Sequence, residues 1–186
     1  MIRRLLVLLA LTACSTHSAS EPKSYVARTD DGLRCAAFDY ADGLMVSSAH
    51  CLNGDSLRLS DGRTATVLIQ GSFNQTVDER EATDRDIGLL LPSASRQALP
   101  KYFGPLEPGS VLYLAPPDSE LIPCPLQGRE VRTLFLACRS IVGWSGSPVL
   151  QINRFGQMSV VAVISAYEPE TGLSWATHVS AVETLN

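Results

Sequence analysis

From residue 24 onward, turn signals follow one another so closely that long helices have no room to form. Asp30-Asp31-Gly32, Asp42-Gly43, Asn53-Gly54-Asp55 and Asp61-Gly62 punctuate the first part of this stretch. Asp/Asn-Gly pairs of this kind supply the backbone freedom that tight turns demand. Between them lie short apolar runs that predict strands at 24–28, 33–38, 43–47, 57–59 and 64–69. The same rhythm continues at 87–91, 111–115, 121–126, 131–138, 148–153, 158–165 and 174–177, with a hairpin turn at 154–157. Only 95–102 and 180–185 read as helical, and both are brief. Many short strands at turn-limited spacing predict an all-β barrel or sandwich. The Pro/Gly-rich stretch 92–109 marks a boundary between two halves, and no internal repeat is visible.

A chain of 186 residues allows one compact domain, or two small subdomains sharing an interface. Apolar residues make up 45% and charged residues 18%, a globular composition. The formal net charge is −4, and no block of Lys or Arg follows Arg3-Arg4, which argues against a nucleic-acid partner. Residues 1–13 join that basic pair to the apolar run 5–11, too short to span a bilayer, as in a secretory signal peptide. Leu11-Thr12-Ala13-Cys14 resembles the bacterial lipobox, in which the cysteine is acylated and becomes the new N-terminus. An ordinary signal peptide with an incidental cysteine is the alternative. Residues 14–23 are polar without hydrophobic period, as a tether would be. Ser15 after the cysteine favours, by resemblance to lipoprotein sorting, an exported outer-membrane lipoprotein held in the membrane through Cys14.

Setting Cys14 aside leaves Cys35, Cys51, Cys124 and Cys138, an even number compatible with two disulfides in an exported protein. Zinc ligation is the rival, but no Cys-x-x-Cys pair or His-rich cluster accompanies them.

Three frames carry chemistry. Ala49-His50-Cys51 follows a strand, with Cys35 placed sixteen residues before Cys51. Asp86 heads the apolar run 87–91, with Asp84 as its competitor two residues earlier. Gly143-Trp144-Ser145-Gly146-Ser147-Pro148 offers a serine between glycines. A serine nucleophile needs a base, an acid to orient the base, and backbone donors for the oxyanion. The order His, Asp, Ser with strand-rich flanks differs from the α/β-hydrolase order of serine, acid, histidine. His17 falls in the tether, and His178 lacks any such frame.

Together these frames resemble the trypsin/chymotrypsin-like serine protease family, and more nearly its small bacterial, glutamyl-endopeptidase-like members. The resemblance implies two antiparallel β-barrels of the chymotrypsin type, at 24–99 and 104–177, within a protease domain 24–186 that ends in a short C-terminal helix. It makes His50 the general base, Asp86 its orienting acid, Ser145 the nucleophile, and the Gly143 and Ser145 amides the oxyanion hole. It pairs Cys35 with Cys51, and Cys124 with Cys138 across a turn at Gln127-Gly128-Arg129. Ser165, Ala166 and Tyr167 fall where the family pairs a strand with substrate backbone. Protein or peptide is the expected substrate, with no metal or organic cofactor, and the chain is taken as a monomer. A non-catalytic, protease-like lipoprotein binding a cell-envelope partner is the rival.

Two departures stand out. Trp144 replaces the aspartate with which digestive enzymes receive their freed N-terminus, so that activation switch is absent. Arg139, six residues before Ser145, stands where trypsins carry the aspartate that selects Lys or Arg. It either favours acidic side chains or turns away to the surface. Ile164 replaces the histidine of glutamate-specific members, which weakens the acidic option.

Overall fold

The computed structural model describes residues 23–71, 83–96, 98–102 and 104–185. The signal segment, Cys14, His17 and most of the tether lie outside the described residues. Twelve strands among the described residues close into two antiparallel barrels. In the first, β1 (Ser24–Arg28), β2 (Arg34–Asp39), β3 (Met45–Ser47), β4 (Ser56–Leu59), β5 (Thr64–Gln70) and β6 (Gly88–Pro92) close in the order β1-β2-β3-β6-β5-β4. The second joins β7 (Val111–Leu114), β8 (Ile122–Glu130), β9 (Thr133–Leu136), β10 (Pro148–Ile152), β11 (Met158–Glu168) and β12 (Leu173–His178) in the order β10-β11-β12-β9-β8-β7. Closure removes exposed sheet edges, which short strands could not otherwise protect.

Alternation along the strands explains where the apolar residues go. In β1, Tyr25 and Ala27 point into the first barrel, where they meet Met45, Leu57, Leu59 and Leu90. The second barrel is filled by Leu112, Leu114, Leu126, Leu134, Leu136, Val161 and Ile164. A third cluster lies between the barrels: Phe38, Val46 and Ile87 of the first pack with Leu150, Val160 and Val163 of the second. Strands β2 and β11 therefore bury both faces over much of their length, since one side fills a barrel and the other meets the neighbouring barrel. The buried Arg63 is chelated by Asp39, with N–O distances of 2.8 and 3.0 Å, and also donates to Asp61 and to the Ala94 carbonyl.

Three local expectations are corrected. The turn expected at Gln127-Gly128-Arg129 is instead the end of β8, with a register shift between Leu126 and Gly128. Glycine inside a strand commonly marks such a bulge. The hairpin turns at Val131-Arg132, where Val131 takes φ +47°. No described residue of 95–96 and 98–102 is helical; Pro100 offers no amide, and Lys101 bridges Val160. The C-terminal helix is a 3-10 segment, Val179–Thr184, whose Ser180 amide donates to the His178 side chain. So few residues cannot repay the nucleation of an α-helix.

Candidate active site

His50 sits in a 3-10 turn, Ala49–Cys51, directly after β3. Ala49 and Cys51 are buried on either side, leaving the imidazole partly exposed. Two links hold the turn: the Cys35–Cys51 disulfide ties it to β2, and Gln70 Nε2 donates to the Ala49 carbonyl at 2.8 Å. Asp86 is fully buried just before β6. Its Oδ1 accepts the His50 amide at 2.9 Å, and its Oδ2 lies 2.7 Å from His50 Nδ1. Ser165 Oγ donates to the same Oδ2. A carboxylate facing Nδ1 favours the tautomer with the proton on that nitrogen. Asp84, the competing acid, accepts instead from the Arg132 amide at 2.7 Å and from Thr133 Oγ1 at 3.1 Å. It links the barrels.

The serine loop is two consecutive turns. The Trp144 amide donates to the Ile141 carbonyl at 3.1 Å, and the Ser147 amide to the Trp144 carbonyl at 2.9 Å. Their third positions are Gly143 (φ +92°) and Gly146 (φ +90°), the positive φ that type II turns require. The three-residue spacing of these glycines thus has a backbone cause. Trp144 packs on the second-barrel core and anchors the loop through apolar contact. From the other side β2 presses in: the Ala36 amide donates to the Ser145 carbonyl at 2.7 Å, while the Gly146 amide donates to Ile164 O at 2.8 Å. Among the described residues, neither the Gly143 nor the Ser145 amide donates to a protein acceptor. Ser145 Oγ donates to the Ser165 carbonyl at 3.2 Å.

Beside Ser145 opens a cavity of about 810 Å³, lined by Arg139, Ser140, Ile141, Val142, Ala166 and Tyr167 among others. Three of the four residues expected to touch substrate, Arg139, Ala166 and Tyr167, line it. The fourth, Ser165, sends its hydroxyl to Asp86. Arg139 is exposed yet stays at the cavity, its guanidinium 5.9 Å above the Tyr167 ring. Ile164 lies in the second-barrel core, and its carbonyl also accepts Ser48 Oγ at 2.6 Å. Cys35, Cys51 and His50 place ligand-type atoms within 4.8 Å of one another, but the two sulfurs are bonded to each other and unavailable to a metal. The second bridge joins Cys124 to Cys138.

Sequence reasoning missed the inter-barrel role of Ser48 and the hydroxyl of Ser165 as an Asp86 partner. Isolated serines carry no signal of a distant acceptor.

No protein-family model and no curated protein sequence matches the chain. Solved structures do. The inactive form of the Rv3671c protease of M. tuberculosis is similar with TM-score 0.64 and 18% identity, over 90% of this chain and 88% of that one. A Glu endopeptidase in complex with MPD matches with TM-score 0.64 and 12% identity, over 89% and 91% respectively. The serine protease of a human pathogenic astrovirus matches with TM-score 0.57 and 20% identity, over 83% and 88%. At these identities the likeness is one of fold.

Proposed function

We propose that this chain, which has the two-barrel fold of trypsin/chymotrypsin-like serine proteases, is a serine endopeptidase acting through His50, Asp86 and Ser145. The observation that carries the proposal is the buried Asp86 carboxylate, 2.7 Å from His50 Nδ1 and bonded by the hydroxyl of Ser165, the residue whose carbonyl accepts Ser145 Oγ. Asp86 holds the imidazole with Nδ1 protonated. Ser145 Oγ turns from the Ser165 carbonyl, gives its proton to His50 Nε2 and attacks the peptide carbonyl carbon. The oxyanion forms where the Gly143 and Ser145 amides stand without protein acceptors. His50 then protonates the leaving amine, and water, activated by the same imidazole, hydrolyses the acyl-enzyme. A side chain entering the neighbouring cavity meets Arg139 and Tyr167, so Lys and Arg are repelled there.

The rival reading, a non-catalytic binder of a cell-envelope partner, draws on the Ser145 hydroxyl donating to Ser165 O. Labelling with a fluorophosphonate probe decides between them. The wild type is expected to label, and Ser145→Ala and His50→Ala are not. The protease assignment is falsified if oxidised wild type shows neither labelling nor peptide or ester hydrolysis. Export and lipidation of Cys14 belong to the same proposal; the paired disulfides support export. Cys14→Ser should then move the protein out of the membrane fraction, and unchanged partitioning would sink the anchor.

A further inference from the structure

The two amides assigned to the oxyanion are held very differently. Ser145 is pinned through its carbonyl to Ala36 and through the next amide to Ile164. The Gly143 peptide makes no hydrogen bond among the described residues, and Val142 before it is 95% exposed. A peptide beside glycine with no bonded partner is free to rotate unless something packs on it. Arg34 of β2 packs on it. A β-carbon built on Gly143 would stand 3.3 Å from Arg34 Cδ and 3.4 Å from Cγ, and the three nearest heavy atoms to that point all belong to Arg34.

Arg34 itself needs holding, because a long side chain loses rotamer freedom when it docks. Its Nε is buried without an acceptor among the described residues. Its guanidinium is ion-paired through Nη2 to Asp118, in the β7–β8 loop of the opposite barrel. Both side chains are partly exposed, so salt screens the pair.

We propose that Arg34 is a positioning residue for the oxyanion turn: its stem holds the Gly143 peptide, Asp118 holds its guanidinium, and the order of the turn therefore depends on ionic strength. This inference rests on the protease reading of the cleft. It assigns to a cross-barrel pair the ordering task for which Trp144 leaves no N-terminal partner.

The test compares wild type, Arg34→Ala, Arg34→Lys and Asp118→Asn at low and high salt. The readouts are fluorophosphonate labelling rate, kcat and KM on a short ester, and hydrogen exchange at the bonded amides of Trp144, Gly146 and Ser147. Outright loss of an oxyanion donor costs about 10²–10³-fold. Loosening one donor through Arg34→Ala should therefore slow labelling and kcat about tenfold, with KM nearly unchanged. Asp118→Asn and high salt should each cost about two- to fivefold. Arg34→Lys should keep most of the rate, the salt effect should vanish in Arg34→Ala, and exchange should quicken in step with each loss. The inference is overturned by wild-type labelling in Arg34→Ala, or by a salt effect that persists in that variant. It is also overturned if the loss is confined to peptides extending past the scissile bond, which would make Arg34 a substrate contact. Should Arg34→Ala fail to fold, Asp118→Asn and the salt series on wild type carry the test. A wild type that never labels defeats the protease assignment alone; unchanged exchange in Asp118→Asn and in high salt defeats this one.

Discussion

Replacing Gly146 by alanine drives a β-carbon into β2, the strand that supports the Ser145 loop. That carbon would stand 2.0 Å from the Ala36 carbonyl oxygen and 2.5 Å from Ser47 Oγ. Close carbon–oxygen contacts in proteins fall at about 3.3–3.6 Å, so one side must retreat by more than about 1 Å. Strand β2 is the stiffer side, because the Ala36 carbonyl already accepts Ser47 Oγ at 2.6 Å and both of its faces are packed. The loop therefore moves, stretching the Ala36–Ser145 and Gly146–Ile164 hydrogen bonds of 2.7 and 2.8 Å. Each lost bond costs about 0.5–1.5 kcal/mol, and the left-handed φ adds about 1–2 kcal/mol for a residue with a β-carbon. The total is about 2–5 kcal/mol of stability. On the proposed mechanism, moving Ser145 Oγ by about 1 Å costs on the order of 10²-fold in rate.

Gly62→Ala is the control, since Gly62 has φ +87° with nothing within 4 Å of a new β-carbon. It reports the backbone cost alone, about 1–2 kcal/mol. Urea unfolding of both variants, followed by tryptophan fluorescence, gives the stability difference; labelling rates give the chemistry. If Gly146→Ala unfolds within about 0.5 kcal/mol of Gly62→Ala and labels within about twofold of wild type, contact with β2 does not fix the nucleophile.

Three further outcomes follow from buried or strained groups. Asp39→Ala leaves the Arg63 guanidinium buried with Asp61, the Ala94 carbonyl and the Tyr25 ring, and should cost about 3 kcal/mol in urea unfolding; a loss under about 1 kcal/mol would show the pair to be dispensable. Burial, with the charges of Arg129 and Arg132 adding to it, lowers the His178 pKa from 6.5 to about 4. Its contribution is complete above pH 6.5 and is lost as pH falls toward 4, about 2–3 kcal/mol after allowance for screening. His178→Asn should flatten that part of the stability profile, and an unchanged slope would reject the assignment. Val131→Gly relieves a β-branched residue at φ +47° and should raise stability by about 0.5–1.5 kcal/mol; an unchanged or lower melting temperature would show that the turn is not strained.

Where a residue sat in a frame of several neighbours, its place was legible in the sequence. Ala49-His50-Cys51 carries both His50 and the bridge that fixes its turn, and Gly143 and Gly146 mark two turns that leave Trp144 and Ser145 between them half-buried. Turn spacing narrowed the architecture to a barrel or a sandwich, because short strands with one buried face leave few others, and the family resemblance supplied the two barrels. Gly128 misled for a physical reason: the residue that permits a turn also permits a bulge, and only pairing with β9 decides which. Arg139 was ambiguous because an exposed arginine can follow either its charge or a nearby ring, and Tyr167 lies twenty-eight positions further along the sequence. The hydroxyl of Ser48 was invisible, since its acceptor, Ile164 O, is 116 residues away.

The distance of that last contact matters because His50 and Ser145 belong to different barrels. The apolar cluster of Phe38, Val46, Ile87, Leu150, Val160 and Val163 holds the barrels together, but apolar contact has no direction and tolerates sliding. Direction comes from polar links at the same interface. Ser48 Oγ reaches Ile164 O at 2.6 Å, Thr177 Oγ1 reaches Thr83 O at 2.5 Å, and the Arg132 amide reaches Asp84 at 2.7 Å. A shift by one peptide would leave several of these groups buried and unpaired, at about 1–3 kcal/mol each. The Ser165 hydroxyl extends the set to the candidate site, since it ties the strand beside Ser145 to Asp86, which faces His50. Apolar burial therefore sets how firmly the barrels adhere, and a handful of hydroxyls and amides sets the register at which the His50 turn meets the Ser145 loop.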